Sequence, residues 1–484
     1  MPAKHQGKGN IMWRFKKLEP GDPERRPREA EFFNVGDNDV AASLVREAIQ
    51  NSLDARLSEK EPVRVRFAFS SQKKDIDGYY AGLIEHIESC KPLPPQYEIA
   101  SESAFLMIED FGTLGLGGPV TLEEVNSAKP GNYYDFWWGE GKSQKTGAKA
   151  GRWGLGKTVF NVASGLRSFW GYTIRHDDGR GLLLGKAVLD THLYKGERYN
   201  CYGYYTGDYY KPIEAKGVVN DFKKAFGIVR DSEPGLSVAI PMLVPEVNAG
   251  AVLRWSIINY FFPIIKGMLV VEVSNDGEVA ALSASTLRET ARKQNWEDTP
   301  WEDRNVESLM EFLEDAATTP ESKNIFIKAP EGATRFKEEL FGDKLAECRG
   351  LFDECQLLSL NIPVRIHRKG EVETSSHFDL YLKKDETLTK ADEFYFRAGI
   401  TVSEIRKLGN RKVRGLLSAH DDGVCAFLGD CESPAHTDWK ERAEGFQDKY
   451  QGARDTLRFI KSSMAAEQHV IILGKHSHYE KPGN

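Results

Sequence analysis

Cysteine is scarce, with six residues in 484 and no C-x-x-C pair, which excludes a small disulfide-framed secreted domain. The gaps between Cys425, Cys431 and His436 do not match zinc-ligand spacing. Long apolar runs are also missing. A membrane helix needs about 18 uninterrupted apolar residues, and the greasiest segment, YFFPIIKGMLVVEV, is broken by Pro263 and Lys266. The opening MPAKHQGKGNIMWRFKK has basic residues but no apolar core, unlike a secretory signal. The expectation is a cytoplasmic protein that does not span a membrane. An excess of positive charge is absent as well: the formal charge of -7 argues against a uniformly basic nucleic-acid coat, while a local basic patch stays open. No repeat of roughly 20 to 50 residues and no low-complexity tract is present.

What the chain does have is a globular composition, 40% hydrophobic and 28% charged, and length for two to four domains at about 100 to 200 residues each. One strong helical segment and the strand-like runs AFLMIED, SFWGYTI, RGLLLGKAVL and LSVAIPML predict a first α/β domain over residues 1–275, including an N-terminal strap. The tyrosines of YNCYGYYTGDYY fit a strand and its turn in that domain better than a base-stacking platform. Residues 276–323 are polar, acidic and helical in period, as suits a connector. The runs NIFIKAP, LLSLNIPVRIHR, HFDLYLKK, EFYFRAGITV and GVCAFLGD predict a smaller α/β domain over 324–433. From Trp439 the spacing of Ala443, Phe446, Tyr450, Ala453, Leu457, Ile460 and Met464 predicts a long one-striped helix within a C-terminal stretch, 434–484. The stripe suits packing on that domain's own sheet, or on a partner helix.

Three boxes carry chemistry. The first, REAIQNSLDAR, follows the cap candidates Asp37, Asn38 and Asp39. At about 100° per residue, Glu47, Asn51 and Asp54 share a narrow sector and Val45, Ile49 and Leu53 lie opposite. One face is core; the other is solvated or chemical. Glu47 and Asn51 set a carboxylate that can deprotonate water one turn from a neutral oxygen that can bind Mg²⁺. The second box, AFLMIEDFGTLGLGG, is an apolar strand ending in Asp110, where a carboxylate can accept from an exocyclic amine such as adenine's and Gly112 admits a close approach. A plain strand and turn would look the same.

The third box, AGRWGLGKTVFNVASG, matches the phosphate-binding P-loop pattern from Gly151 to Thr158. A P-loop follows a buried apolar strand, whereas GKSQKTGAKA precedes this one, and no apolar run ending in a Mg²⁺-ordering Asp stands downstream. A glycine-rich loop that opens a helix cradles phosphate with its free N–H groups in either case.

In this order, Glu47-x-x-x-Asn51-x-x-Asp54-Ala55, Asp110-x-Gly112 and Gly151-x-x-Gly154-x-Gly156 resemble the ATP-site motifs of the GHKL superfamily, which holds gyrase-type topoisomerases, the large ATP-dependent heat-shock chaperone, histidine kinases and the MutL and MORC proteins. The resemblance covers about half the chain and implies the Bergerat fold, an α/β sandwich with ATP between helices and sheet. It implies Glu47 as general base, Asn51 as Mg²⁺ ligand and Asp110 as adenine acceptor. Asp54, Ala55, Gly112, Gly115, Gly151, Gly154, Leu155, Gly156, Lys157 and Thr158 would surround ATP, and residues 117 to 157, with Lys142, Lys145, Lys149 and Lys157, would form a mobile lid. Two departures stand out. Gly235 of PGLSVAI is followed by Leu236 where a threonine belongs, with Ser237 as the substitute hydroxyl, and one extra residue separates Gly112 from Gly115.

A histidine kinase would need a dimerising helix before the first box, so that branch is not expected. The second domain resembles the transducer of the other branches, which sends a basic residue to the γ-phosphate. Lys407, Lys412 and Arg414 in IRKLGNRKVRG are the candidates, unless that loop is a solvated or nucleic-acid-contacting turn. REAIQNSLDA, EDFGTLGL, FYFRAGITV and CESPAHTDW resemble bacterial MORC-like or MutL-like ATPases encoded beside restriction or anti-phage genes. The expected function is an ATP- and Mg²⁺-dependent conformational switch whose ATPase domains form a homodimer on ATP and reset by hydrolysis. It would clamp DNA or gate partner proteins of a defence system. The alternatives are a chaperone-like remodeller of protein clients and an ATP-binding scaffold without turnover.

Overall fold

The structure is a computed structural model and describes residues 11–23, 39–70, 76–94, 97, 105–121, 124, 131–139, 157–207, 210–328, 337–433 and 437–473. The chain forms two compact units. Residues up to 144, 153–257 and 267–290 belong to the first, and 258–266 and 291–484 to the second. Among the described residues no helix is long and apolar enough to cross a membrane.

Unit 1 begins with β1 (Met12–Lys17), α1 (Val40–Asp54), β2 (Val63–Ser70), α2 (Ile84–Glu88) and β3 (Phe105–Phe111). The short helices α3 (Tyr133–Trp137) and α4 (Thr158–Val162) precede β4 (Ser168–Ile174), β5 (Gly181–Val188), β6 (His192–Tyr194) and β7 (Glu197–Thr206). Then come α5 (Lys216–Phe226), β8 (Gly235–Pro241), α6 (Ala249–Ile265), β9 (Leu269–Asn275), β10 (Glu278–Leu282) and α7 (Leu287–Arg292), with α6 from residue 258 on and the end of α7 belonging to the second unit. The strands make a 10-stranded sheet ordered β1-β7-β5-β4-β8-β3-β2-β9-β10, with β6 paired to β7. The β2–β9 pair is parallel, whereas β3 lies antiparallel to both β2 and β8. The apolar runs AFLMIED, SFWGYTI, RGLLLGKAVL and LSVAIPML become β3, β4, β5 and β8, and most of the tyrosine-rich run becomes β7.

Side-chain alternation divides this sheet into two apolar faces. On one, Trp13, Met107, Trp170 and Tyr205 pack against Leu83 and Ile87 around α2 and Phe222 and Phe226 of α5. On the other, Trp137 of α3 stacks on Phe169 of β4 at 5.6 Å, Phe160 of α4 meets the same ring at 5.3 Å, and α1 packs on β2 and β3. Helices therefore lie on both faces, one layer more than a simple sandwich, because both faces carry large aromatics that must leave water.

Unit 2 contains α8 (Val306–Thr318), β11 (Ile325–Phe326), α9 (Leu345–Asp353), β12 (Leu358–Arg368), β13 (Thr374–Lys384), β14 (Asp392–Arg397), β15 (Ile400–Val402) and β16 (Val413–Ala419). It continues with α10 (Asp422–Asp430), α11 (Phe446–Lys449), β17 (Tyr450–Gln451) and α12 (Ala453–Leu473). Its 7-stranded sheet runs β11-β12-β13-β16-β14-β15, with β17 on β12. NIFIKAP contributes only the two residues of β11.

Two sequence expectations fail here. GVCAFLGD reads as a strand but forms the helix α10, capped by Asp421, whose Oδ1 accepts from Gly423 N at 3.2 Å. A short apolar run fits either period, and Val424, Cys425, Phe427 and Leu428 are buried at helical spacing. The C-terminal helix begins at Ala453 rather than Trp439, since Gly445 (φ 69) and Gly452 (φ 67) interrupt the backbone before it. Its stripe packs within unit 2: Leu457, Ile460 and Met464 join the core, and Met464 Sδ lies so near Gly415 that a Cβ there would come within 2.7 Å.

Pro263 sits inside α6, which is kinked at Tyr260 (φ -131, ψ 16). Proline has no N–H to offer the carbonyl four residues back. That carbonyl, on Asn259, accepts instead from Thr401 Oγ1 at 3.0 Å.

Candidate functional site

Helix α1 is set at its start by Asp39. One of its carboxylate oxygens accepts from Ala42 N at 3.0 Å and the other from the Trp255 indole at 2.8 Å, so the cap also fixes the helix axis. Asp37 and Asn38 lie outside the described residues. Ala41, Leu44, Val45, Ala48 and Ile49 are buried, and Glu47, Asn51 and Asp54 sit half-buried on the other side. The helix ends at Ala55, whose N–H bonds Asn51 O at 3.1 Å and whose carbonyl accepts from Leu114 N at 2.9 Å. Leu57 N returns a bond to Gly112 O at 2.8 Å. The end of the first box is thereby stitched to the turn of the second, and α1 also packs on α4, which opens within the third.

Asp110 is the last but one residue of β3. Its Oδ1 accepts from Leu236 N at 2.7 Å and from Thr113 Oγ1 at 2.7 Å. Among the described residues its Oδ2 receives only Ser52 Oγ of α1, at 3.4 Å, and that hydroxyl is already donated to Ala48 O at 2.9 Å. Burial pushes the Asp110 carboxyl up from its ordinary value, and the neighbouring Arg230, with the donors from Leu236, Thr113 and Ser52, pulls against it.

The turn after Asp110 demands its glycines. Gly112 has φ 74 and Gly115 φ 65; a Cβ on Gly115 would fall 2.4 Å from Ile174 O and 2.8 Å from Thr173 Oγ1. Thr173 Oγ1 holds this turn by accepting from Leu116 N at 2.9 Å and donating to Gly235 O at 2.8 Å. Between Gly112 and Gly115, Thr113 supplies a hydroxyl to Asp110.

Ser237 does not stand in for the missing threonine. It pairs with Glu109 in the β3–β8 register, so its side chain is on the opposite face from Asp110. Its hydroxyl donates to Glu109 Oε1 at 3.1 Å and accepts from Arg230 Nε at 3.0 Å. The main-chain N–H of Leu236 takes the place beside Asp110. Lys157 Nζ donates to the carbonyls of Asp135 and Gly139, closing the C-terminal end of α3, and Thr158 is buried at the start of α4. Gly151, Gly154, Leu155, Gly156, Lys142, Lys145 and Lys149 lie outside the described residues.

The three basic candidates of unit 2 separate. Lys407 is exposed, and Lys412 Nζ donates to Glu386 Oε2 at 3.3 Å on the surface. Arg414 is 1% exposed. It ion-pairs with Asp385 at 3.0 Å and with Asp392 and donates to Ser308 Oγ at 2.7 Å. Arg414 is therefore held as a structural cation: removing it would take from the buried Asp392 one of its two arginine partners, Arg304 being the other at 2.9 Å.

Sequence reasoning missed Arg230, Thr113, Thr173 and Ser52. Ser52 stood inside the first box and Thr113 inside the second, but Arg230 and Thr173 belong to segments without any motif. Among the described residues no group of three or more His, Cys, Asp or Glu could hold a metal ion. On α1 the Asn51 amide stands one turn from the Glu47 carboxylate, two oxygen donors of the kind a hard cation takes.

No protein-family model and no curated protein matches the chain. Among solved structures it is similar to the ATPase region of Saccharomyces cerevisiae topoisomerase II, at 9% identity over 90% of this chain and 85% of that one, with a TM-score of 0.35. It is also similar to the B-subunit of DNA gyrase from Myxococcus xanthus, at 9% identity over 88% of each chain, with a TM-score of 0.32. The fold is mixed α/β, with helices packed on large mixed sheets.

Proposed function

We propose that unit 1 binds and hydrolyses ATP as a GHKL-type site. The observation that carries this reading is Oδ2 of Asp110, a carboxylate oxygen whose one hydrogen-bond partner among the described residues is Ser52, at 3.4 Å, beside the helix that bears Glu47 and Asn51. An oxygen so placed suits the exocyclic amine of adenine, which needs an acceptor, and rejects an oxo group, which would set acceptor against acceptor. Asn51 would hold Mg²⁺, which when bound neutralises phosphate charge. Glu47 takes the proton of a water whose oxygen bonds to the γ-phosphorus as the bridging oxygen leaves with ADP.

The broader role is a switch in which ATP favours association of two copies and hydrolysis resets them, in a DNA-related or anti-phage assembly. The resemblance of REAIQNSLDA, EDFGTLGL, FYFRAGITV and CESPAHTDW to bacterial MORC-like and MutL-like ATPases supports it. Steady-state ATPase assays with DNA and with an unfolded protein client test the role. Stimulation by DNA alone favours the switch, stimulation by the client favours a remodeller, and absence of turnover with ATP bound leaves a scaffold.

A further inference from the structure

We propose that Arg230 is a positioning residue for Asp110: it supplies the counter-charge that keeps the carboxylate an acceptor while consuming none of its lone pairs, so that Oδ2 stays open to the amine of a nucleotide base. This rests on the reading of Asp110 as the base acceptor.

A guanidinium has five N–H donors, and all five of Arg230 are directed elsewhere. Nε donates to Ser237 Oγ at 3.0 Å. Nη1 donates to Glu233 O at 3.1 Å and Pro234 O at 2.9 Å. Nη2 donates to Leu236 O at 3.0 Å and to the main-chain carbonyl of Asp110. The side chain has no exposed surface, and its Nη2 is 3.5 Å from Asp110 Oδ1. Its plane lies over Phe111, 4.7 Å from the ring centroid. The cation is thus held by carbonyls, a hydroxyl and a ring and acts on Asp110 through space; the fork of arginine satisfies all five of these acceptors, whereas lysine would keep the charge with only three donors.

The backbone enforces the approach. Gly235 has φ 144, and a Cβ there would fall 2.3 Å from Arg230 Nη1 and 2.6 Å from Asp110 Oδ1. Four carbonyls converge on Arg230 while Leu236 N and Thr113 Oγ1 saturate Oδ1, so one loop both turns the carboxylate and charges its surroundings. Arg230 is the charged group acting on Asp110. The other ionisable groups on the elements around it are Arg46, Glu47 and Asp54 on α1, Arg64 and Arg66 on β2, Glu109 on the far face of β3, Tyr172 on β4, and Asp231 and Glu233 in the loop before β8; Arg66 pairs with Glu109 at 2.8 Å and Arg64 with Glu233 at 3.6 Å.

The test is MgATP affinity by calorimetry from about pH 6 to about pH 9, in excess Mg²⁺, for wild type, Arg230→Met and Arg230→Lys, with thermal melts of each. Wild-type affinity should stay level across the range. Arg230→Met should bind at least ~10-fold more weakly, with a deficit that widens as pH falls, because the buried carboxyl then takes up a proton nearer neutrality. Arg230→Lys keeps the charge and should keep the wild-type profile while melting earlier. A folded Arg230→Met protein whose profile superimposes on wild type overturns the proposal. Should that variant not fold, wild type and Arg230→Lys decide: affinity that drops ~10-fold per pH unit below about pH 8 overturns it, and level affinity supports it. Absence of MgATP binding by wild type, or full binding by Asp110→Asn, overturns the site reading itself and Arg230's role with it.

Discussion

The main-chain N–H of Leu236 donates to Oδ1 of Asp110 at 2.7 Å, between residues 126 positions apart. With the Thr113 hydroxyl on the same oxygen at 2.7 Å, this bond fixes which carboxylate oxygen is spoken for and which one faces α1.

That asymmetry determines the outcome of Asp110→Asn. Two donors already point at Oδ1, so the amide oxygen must occupy that position and the NH₂ group must take the place of Oδ2. Donor then faces donor at the base amine, and ATP affinity should fall by about 1–3 kcal/mol or more. Titration calorimetry decides it; near-native affinity in the folded variant removes Asp110 from the site.

Glu47→Ala takes away the proton acceptor and leaves Asp110, Asn51 and the turn glycines in place. The variant should bind ATP and hydrolyse it ~100-fold more slowly or worse. If closure favours pairing of two copies, ATP with Mg²⁺ should drive it from monomer toward dimer and ADP should not. Light scattering with each nucleotide checks this. An unchanged mass with ATP bound would sink the dimerising mechanism, and wild-type turnover would sink Glu47 as the base.

Lys157→Ala removes the cation that closes the end of α3 on the carbonyls of Asp135 and Gly139. The expected result is a lower melting temperature and a drop in ATP affinity of roughly tenfold or less, since on the proposed reading backbone N–H groups at a helix start would hold the phosphate. Complete loss of binding together with normal binding by Asp110→Asn would instead identify a P-loop.

Glu467 on α12 is fully buried, and among the described residues neither carboxyl oxygen has a hydrogen-bond partner. Burial drives its pKa well above the ordinary carboxylate value. The native state then keeps a proton that the unfolded chain gives up above about pH 4.5, so stability falls as pH rises past that point. Glu467→Met should raise the melting temperature, more at about pH 8 than at about pH 5, by the equivalent of about 1–3 kcal/mol. Differential scanning calorimetry at both pH values tests it, and a gain independent of pH would show that the acid is not held protonated.

Much of this was open to a reader of the chain, wherever the signal is local. Glu47 and Asn51 fall on one face of α1 because helical geometry repeats every 3.6 residues, and that needs no partner segment. Asp110 stands next to the end of an apolar strand and precedes obligatory glycines, which a run of seven or eight residues displays. The strands β3, β4, β5, β8, β12 and β13 announce themselves as apolar runs for the same reason. Where a run is short, as in GVCAFLGD, its composition suits a helix or a strand equally, and the cap offered by Asp421 with the sheet beneath decides.

Sequence by itself therefore determined the chemistry available: an acid one turn from an amide, an acid at a strand end, and glycines where the backbone must turn. Tertiary structure alone decided how that chemistry is aimed. β8 and β3 pair in a register that puts Ser237 against Glu109 and the Leu236 N–H against Asp110, because alternation along a strand sends neighbouring side chains to opposite faces. It also brought Arg230 behind the carboxylate and locked Arg414 between Asp385 and Asp392. No spacing in the chain encodes these meetings, since each depends on two segments far apart in sequence converging at hydrogen-bonding distance, and the strength of a buried charge or hydrogen bond is set by what the fold packs around it.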